Sequence, residues 1–290
     1  MKPMAKNFIF TITTGRSGTA YLAELLKANL QNAEVHHERL SFLGVSVDSP
    51  DASDFTYFNT IGNVKKVRDF WQRKLTNVQQ SKSDIYVETS HFLAKAGLIE
   101  NLSVLLDNPD NQVHIIVLKR LPHKIAWSFL NRFDFANTVF TWLSALDFRY
   151  HNVIINAGKF AKAGIVGHIY WYIYEMYTRA AYYQIIYKDI PNLHFHEVDL
   201  EQIAKTEGAS VLLNALKLPM QTELKLPPKT NELPVQVYSE KEHKIVKDFD
   251  EKNNPDYLKI AKNFIAEGKT LAEPNDRRQL CRQQGYTWED

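Results

Sequence analysis

Aromatic and β-branched residues from Phe8 to Ile12 predict a buried strand. Leu22, Leu25 and Leu26 then recur at i, i+3 and i+4, the apolar face of a helix. The same change of period repeats along the chain. It predicts strands near 7–13, 33–37, 84–89, 112–119 and 193–198. It predicts helices near 18–30, 63–78, 92–107, 122–132, 165–188 and 208–216. Strands separated by helices imply an α/β fold, a parallel sheet covered on both faces. Ligands of such sheets bind beyond the carboxyl ends of the strands.

Two stretches, 38–62 and 133–160, carry no clear periodicity. Loops of that length in a compact domain suit lids or substrate-binding segments. Pro219, Pro227, Pro228 and Pro234 interrupt 219–238, and a polar helix is expected near 239–267. The expected organisation is a single domain over 1–290, with a core at about 7–218 and a helical C-terminal extension at about 235–290. That extension would wrap the core or cover a ligand. The run 163–187 is the most apolar, yet it holds His168, Glu175 and Arg179. Those charges predict a buried helix, not a membrane span. Its Tyr170, Trp171, Tyr172 and Tyr174 are expected to pack a core rather than form a binding platform.

The hydrophobic share of 44% and charged share of 23% are ordinary for a globular protein. A net charge of +2 gives no reason to expect nucleic acid or a membrane surface as partner. The one cysteine, Cys281, excludes an intrachain disulfide and a cysteine-built metal site. The chain runs from Met1 straight into its first strand, so a cytoplasmic location is expected.

Candidate chemistry starts between the first strand and the first helix, in the loop Thr14–Thr19. A strand that turns through Gly15 and Gly18 into a helix directs backbone N–H groups and the positive end of the helix dipole at one point. That arrangement binds phosphate. A nucleoside-triphosphate loop would carry Lys after its last glycine, and here Thr19 follows Gly18 while the cation, Arg16, comes earlier. Gly15, Arg16, Ser17, Gly18 and Thr19 together resemble the 5′-phosphosulfate loop of the sulfotransferases, which use 3′-phosphoadenosine 5′-phosphosulfate (PAPS). Arg120, at the end of the strand near 112–119, and Ser128, eight positions on, resemble the pair with which that family holds the donor's 3′-phosphate. A weaker likeness lies in Leu193–Leu200, where His196, Glu197, Val198 and Asp199 stand in place of a Tyr-Glu-Asp-Leu run.

The resemblance covers most of residues 7–200 and implies a P-loop NTPase-like three-layer sandwich with a helical C-terminal tail. It implies PAPS as donor, held by Arg16, Ser17, Gly18, Thr19, Ala20, Tyr21, Arg120 and Ser128, with no metal required. Arg16 and the loop amides would meet charge developing on the leaving bridge oxygen. An acceptor hydroxyl also needs a base. Glu38, after the second strand, is the first candidate; the bland alternative is a loop carboxylate paired with Arg39. His91, after the third strand, is the competitor, with His36 and His37 as residual options. The acceptor is expected to be a small molecule or a carbohydrate. Two other readings stay open: a P-loop nucleotide kinase, and a non-catalytic adenosine-phosphate-binding protein of the same fold.

Overall fold

In the computed structural model, which describes residues 5–39, 49–136, 146–228 and 236–271, five strands form one parallel sheet. They are β1 (Asn7–Ile12), β2 (Ala33–His37), β3 (Ile85–Thr89), β4 (Gln112–Lys119) and β5 (Leu193–Asp199). Their order is β2-β3-β1-β4-β5, with Phe8 of β1 opposite Tyr86 on one side and Val113 on the other. All five lie where periodicity predicts them. The chain leaves β1 toward one edge and returns through β4 toward the other. The carboxyl end of β1 is therefore a topological switch point, the usual ligand crevice of an open α/β sheet.

Alternation along β1 divides the core. Ile9 faces Leu22, Leu25 and Leu26 of α1 (Thr19–Asn29), together with Ile116 and Leu118 of β4. Phe8, Phe10 and Ile12 face the opposite layer. There they meet α3 (Lys65–Gln79), which follows α2 (Ala52–Thr60), and α5 (Pro122–Asn131), which follows the short α4 (Ser103–Leu106). After the short α6 (Gly158–Ala161), the long α7 (Gly164–Ile186) fills the same layer with Tyr170, Trp171, Tyr172 and Tyr174, all fully buried. Each such side chain withdrawn from water contributes about 1.5–3 kcal/mol. The α8 (Leu200–Ile203) and α9 (Thr206–Leu216) helices complete the α1 layer. The fold is thus the expected three-layer sandwich.

The charges inside α7 are explained locally. Glu175 and Arg179 form an ion pair at 2.8 Å, one turn apart and wholly buried. Glu175 accepts the backbone N–H groups of Ile154 and Ile155, and Arg179 donates to the Asn152 carbonyl at 2.8 Å. The pair pins an otherwise irregular loop to the core. No helix among the described residues is long and apolar enough to cross a membrane.

Three expectations need correction. The helix expected over 92–107 is two 3₁₀ turns, Leu93–Ala96 and Ile99–Asn101, followed by α4. Gly97 stands between the turns at φ +92, where a Cβ would lie 2.8 Å from Phe58 Cδ2. A left-handed residue stops the helix, and the close approach of Phe58 requires it to be glycine. The aperiodic stretch 38–62 contains α2, started by Asp51, whose carboxylate accepts from Ser53 N and Asp54 N at 2.7 and 2.8 Å. Asp54 returns the bond, so Asp51 and Asp54 form a capping box with acids in both places. The single tail helix is two, α10 (Glu240–Asn253) and α11 (Tyr257–Ala266), parted at Asn254 and Pro255. They pack on α5 and α7, with Tyr170 stacked on Phe249 at 5.0 Å. Parts of the three irregular stretches, and Cys281, lie outside the described residues.

Strand register also sets His114 opposite His194, with His196 two residues on. His114 Nδ1 lies 3.0 Å from His196 Nε2, and the His114 and His194 rings are 5.1 Å apart. Burial, then the neighbouring His196 and His194, pushes His114 down to about 3. Folded protein therefore keeps His114 neutral where an unfolded chain takes up a proton below 6.5. Stability is full above that value and falls as pH drops through it. At pH 5 His114 alone should remove about 2 kcal/mol. Urea midpoints at neutral pH and at pH 5 measure the loss, and His114→Gln should flatten it.

Candidate active site

The β1–α1 turn is shaped by its own side chains. Ser17 Oγ lies 2.7 Å from the Thr14 carbonyl oxygen and 2.5 Å from Thr13 Oγ1, and Thr13 Oγ1 lies 2.7 Å from the Leu118 carbonyl of β4. Ser17's hydroxyl is committed to the loop, so an anion here would meet its N–H. Gly18 caps α1 at φ 99, and a Cβ there would sit 2.6 Å from Leu200 Cδ1. The left-handed backbone strains any larger residue, and the Leu200 side chain would have to shift to admit one. No side chain caps α1, and no acid lies in its first turn. Its first N–H groups thus have no intrahelical partner and carry the positive end of the dipole.

Arg16 is held outside the ordinary backbone region, at φ 62. Its guanidinium grips Asp134 in a bidentate pair, Nε to Oδ2 at 2.6 Å and Nη2 to Oδ1 at 2.8 Å. Its carbonyl accepts from Arg120 Nη1 at 2.9 Å. The loop and the end of β4 are therefore joined, and the two arginines named from sequence lie side by side. Arg120 is itself fixed by Tyr177, whose hydroxyl accepts from its N–H at 2.9 Å and donates to its carbonyl at 2.6 Å. Arg120 Nε is buried with no hydrogen-bond partner among the described residues, although Glu201 Oε1 stands 3.8 Å away. Burial lowers the Arg120 pKa, with Glu201 opposing. A guanidinium short of a partner suits a phosphate oxygen. Ser128 is half-buried on α5, eight positions beyond it.

Glu38 follows β2 at φ 44, its N–H bonded to the Thr89 carbonyl at 3.1 Å. Among the described residues five non-glycine positions have positive φ, and both Arg16 and Glu38 belong to them. Backbone held in a sparse region collects at functional sites because surrounding contacts must enforce it. Glu38 Oε1 lies 3.4 Å from His91 Nε2 and 3.6 Å from His37 Nε2. The competing bases thus form one cluster. Burial, then the charges of Lys95, Arg16 and His37, holds His91 well below the usual imidazole range. His37 Nε2 lies 3.0 Å from Thr19 Oγ1, which ties the cluster to the start of α1. His36 turns instead to Glu34 at 2.6 Å, and Arg39 Nη1 lies 3.3 Å from the Tyr86 hydroxyl.

Ala20 continues α1 beside the loop, whereas Tyr21 packs into the α1 layer with its hydroxyl 3.4 Å from the Ile203 carbonyl oxygen. Asp134, Lys95, Tyr172 and Tyr177 belong to the site and carry no motif. The α7 tyrosines do pack the core, but two of their hydroxyls, on Tyr172 and Tyr177, reach the crevice, while those of Tyr170 and Tyr174 donate to Val246 and Asp250 of α10. Gly15 N–H donates to the Tyr172 hydroxyl at 3.2 Å, and Tyr177 brackets Arg120. One sequence signal could have pointed to them: four tyrosines in eight residues, Tyr170 to Tyr177, each carry a polar end that must find a partner when buried. Among the described residues no group of three or more His, Cys, Asp or Glu is arranged to hold a metal ion.

No protein-family profile matches the chain, and no curated protein matches it. Solved structures do. A sulfotransferase from Alicyclobacillus acidocaldarius aligns over 91% of this chain and 97% of its own, at 14% identity and a TM-score of 0.43. A sulfotransferase domain from the curacin biosynthetic pathway aligns over the whole of both chains, at 12% identity and a TM-score of 0.36.

Proposed function

We propose that the chain is a sulfotransferase that moves a sulfuryl group from PAPS to a hydroxyl or amine of a small-molecule or carbohydrate acceptor. One observation carries this reading. Arg120 Nη1, at the end of β4, donates to the backbone carbonyl of Arg16 in the turn at 2.9 Å, while the Glu38–His91 cluster borders the same turn through Thr19. Two anion sites and a base thus share one crevice.

The loop amides and Thr19 would hold the 5′-phosphosulfate, and Arg120 with Ser128 the 3′-phosphate. Glu38 takes the acceptor's proton as its oxygen attacks sulfur in line. The new S–O bond forms while the bond to the bridging phosphate oxygen breaks, and that oxygen receives the electron pair. Arg16 meets the charge that grows there. Asp134 holds the guanidinium in place beforehand, so little reorganisation is needed during reaction.

The reading is tested by incubating the protein with PAPS labelled in its sulfur and a panel of alcohols, phenols, amines and sugars. Label should move to one acceptor class and the nucleotide product, 3′-phosphoadenosine 5′-phosphate (PAP), should appear in equal amount. Arg120→Ala should weaken PAP binding by about 2 kcal/mol and Ser128→Ala by about 1 kcal/mol, as charged and neutral hydrogen bonds differ. Calorimetry at low salt reads both, and unchanged affinities would remove the 3′-phosphate assignment.

A further inference from the structure

Lys95 is a fully buried cation that no step above uses. It lies on the 3₁₀ turn Leu93–Ala96, just past β3. Its Nζ is 5.2, 5.4 and 5.9 Å from the ring centroids of Tyr172, Phe92 and Phe55. Aromatic faces offset part of a cation's lost hydration. Among the described residues, its polar neighbours include His91 Nδ1 at 3.1 Å and the Tyr172 hydroxyl at 3.4 Å. On the far side of the same imidazole, His91 Nε2 lies 3.4 Å from Glu38 Oε1. Lys95, His91 and Glu38 therefore stand in series.

An ammonium can only donate, so the ring nitrogen facing it must present a lone pair. A neutral imidazole then carries its one proton on the other nitrogen. We infer that Lys95 is a positioning residue: it fixes His91 as the Nε2–H tautomer, and through that N–H it holds the Glu38 carboxylate for proton abstraction. In this arrangement His91 has no lone pair on the Glu38 side. It cannot be the base there, which separates the two candidates that sequence left open. The catalytic meaning rests on the sulfotransferase reading; the tautomer does not.

The charges around the series come from several elements. Burial holds Lys95 well below the usual lysine range; Glu38 opposes that shift and Arg179 of α7 adds to it. Arg16 of the β1–α1 turn and His37 of β2 both disfavour a proton on His91. A Lys95 that lost its proton could accept from Nδ1 and reverse the tautomer, so the test reads the tautomer itself.

The experiment is ¹⁵N imidazole NMR on the labelled full chain, with His91 assigned by its absence in His91→Gln. The parent should show neutral His91 with Nε2 protonated at about pH 7. A parent His91 protonated on Nδ1 overturns the proposal without any Lys95 variant. Lys95→Met keeps length and apolar bulk but removes the donor. It should give a mixed or reversed tautomer, slower sulfuryl transfer and unchanged PAP affinity. A folded Lys95→Met that keeps the parent tautomer also overturns it. Failure of the sulfotransferase reading registers separately, as a parent that neither binds PAP nor transfers label, whatever the tautomer.

Discussion

Glu38→Gln should retain PAP affinity and lose turnover by roughly 10²- to 10⁴-fold with an alcohol acceptor, the usual worth of a general base. The amide keeps the shape of the carboxylate and its place beside His91, but it cannot accept the proton. Single-turnover rates with PAPS and an alcohol identified in the acceptor screen measure the chemical step apart from product release. His91→Ala is the internal comparison. Because His91 acts on Glu38 rather than on the acceptor, its loss should be the smaller of the two. If His91→Ala abolishes transfer while Glu38→Gln leaves it intact, His91 is the base and the two roles are exchanged.

Arg16→Ala should lower turnover by roughly 10²- to 10³-fold, the range seen when one preorganised charge-stabilising donor is removed. The loss should exceed the loss in donor affinity, because charge on the bridge oxygen is small in bound PAPS and grows as the S–O bond breaks. Asp134→Asn keeps the Arg16 charge but weakens the bidentate grip seen at 2.6 and 2.8 Å. It should produce a milder loss of the same kind, in turnover more than in affinity. A change confined to affinity in both variants would make Arg16 a phosphate anchor only.

The sheet and the donor loop are legible in the sequence for a physical reason. Strand alternation is local: Phe8, Phe10 and Ile12 announce one buried face and Ile9 the other. Gly18 is legible because its φ of 99 strongly favours glycine. Arg120 and Ser128 can be named because their spacing is short and fixed by a strand and the helix after it. Glu38 and His91 can each be nominated, since each follows a strand whose carboxyl end lies on the crevice side of the sheet. Their meeting at 3.4 Å is not legible, because it depends on β2 and β3 lying side by side in register.

Asp134 and Lys95 are not legible for a different reason. Each reaches the site from an element whose local pattern says only core or loop, and its role depends on the partner it meets. Asp134 lies past the end of α5 in a stretch without periodicity, yet it fixes Arg16. Lys95 lies in the stretch 92–107 that is expected to be one helix. The break at Gly97 leaves it on a 3₁₀ turn against Tyr172. Asp51 and Asp54 were readable in principle as a helix start, but a cap of two aspartates departs from the Ser/Thr-x-x-Glu pattern.

The central claim is that the β1–α1 turn and the end of β4 hold a 3′,5′-bisphosphorylated adenosine rather than a nucleoside triphosphate. Calorimetric titration of the full chain with PAP in the presence of a chelator, set against ATP with Mg²⁺, tests it most directly. The account predicts saturable PAP binding without metal, weakened by Arg120→Ala, and no comparable binding of ATP–Mg²⁺. Tighter binding of ATP–Mg²⁺, or no binding of PAP, would contradict it.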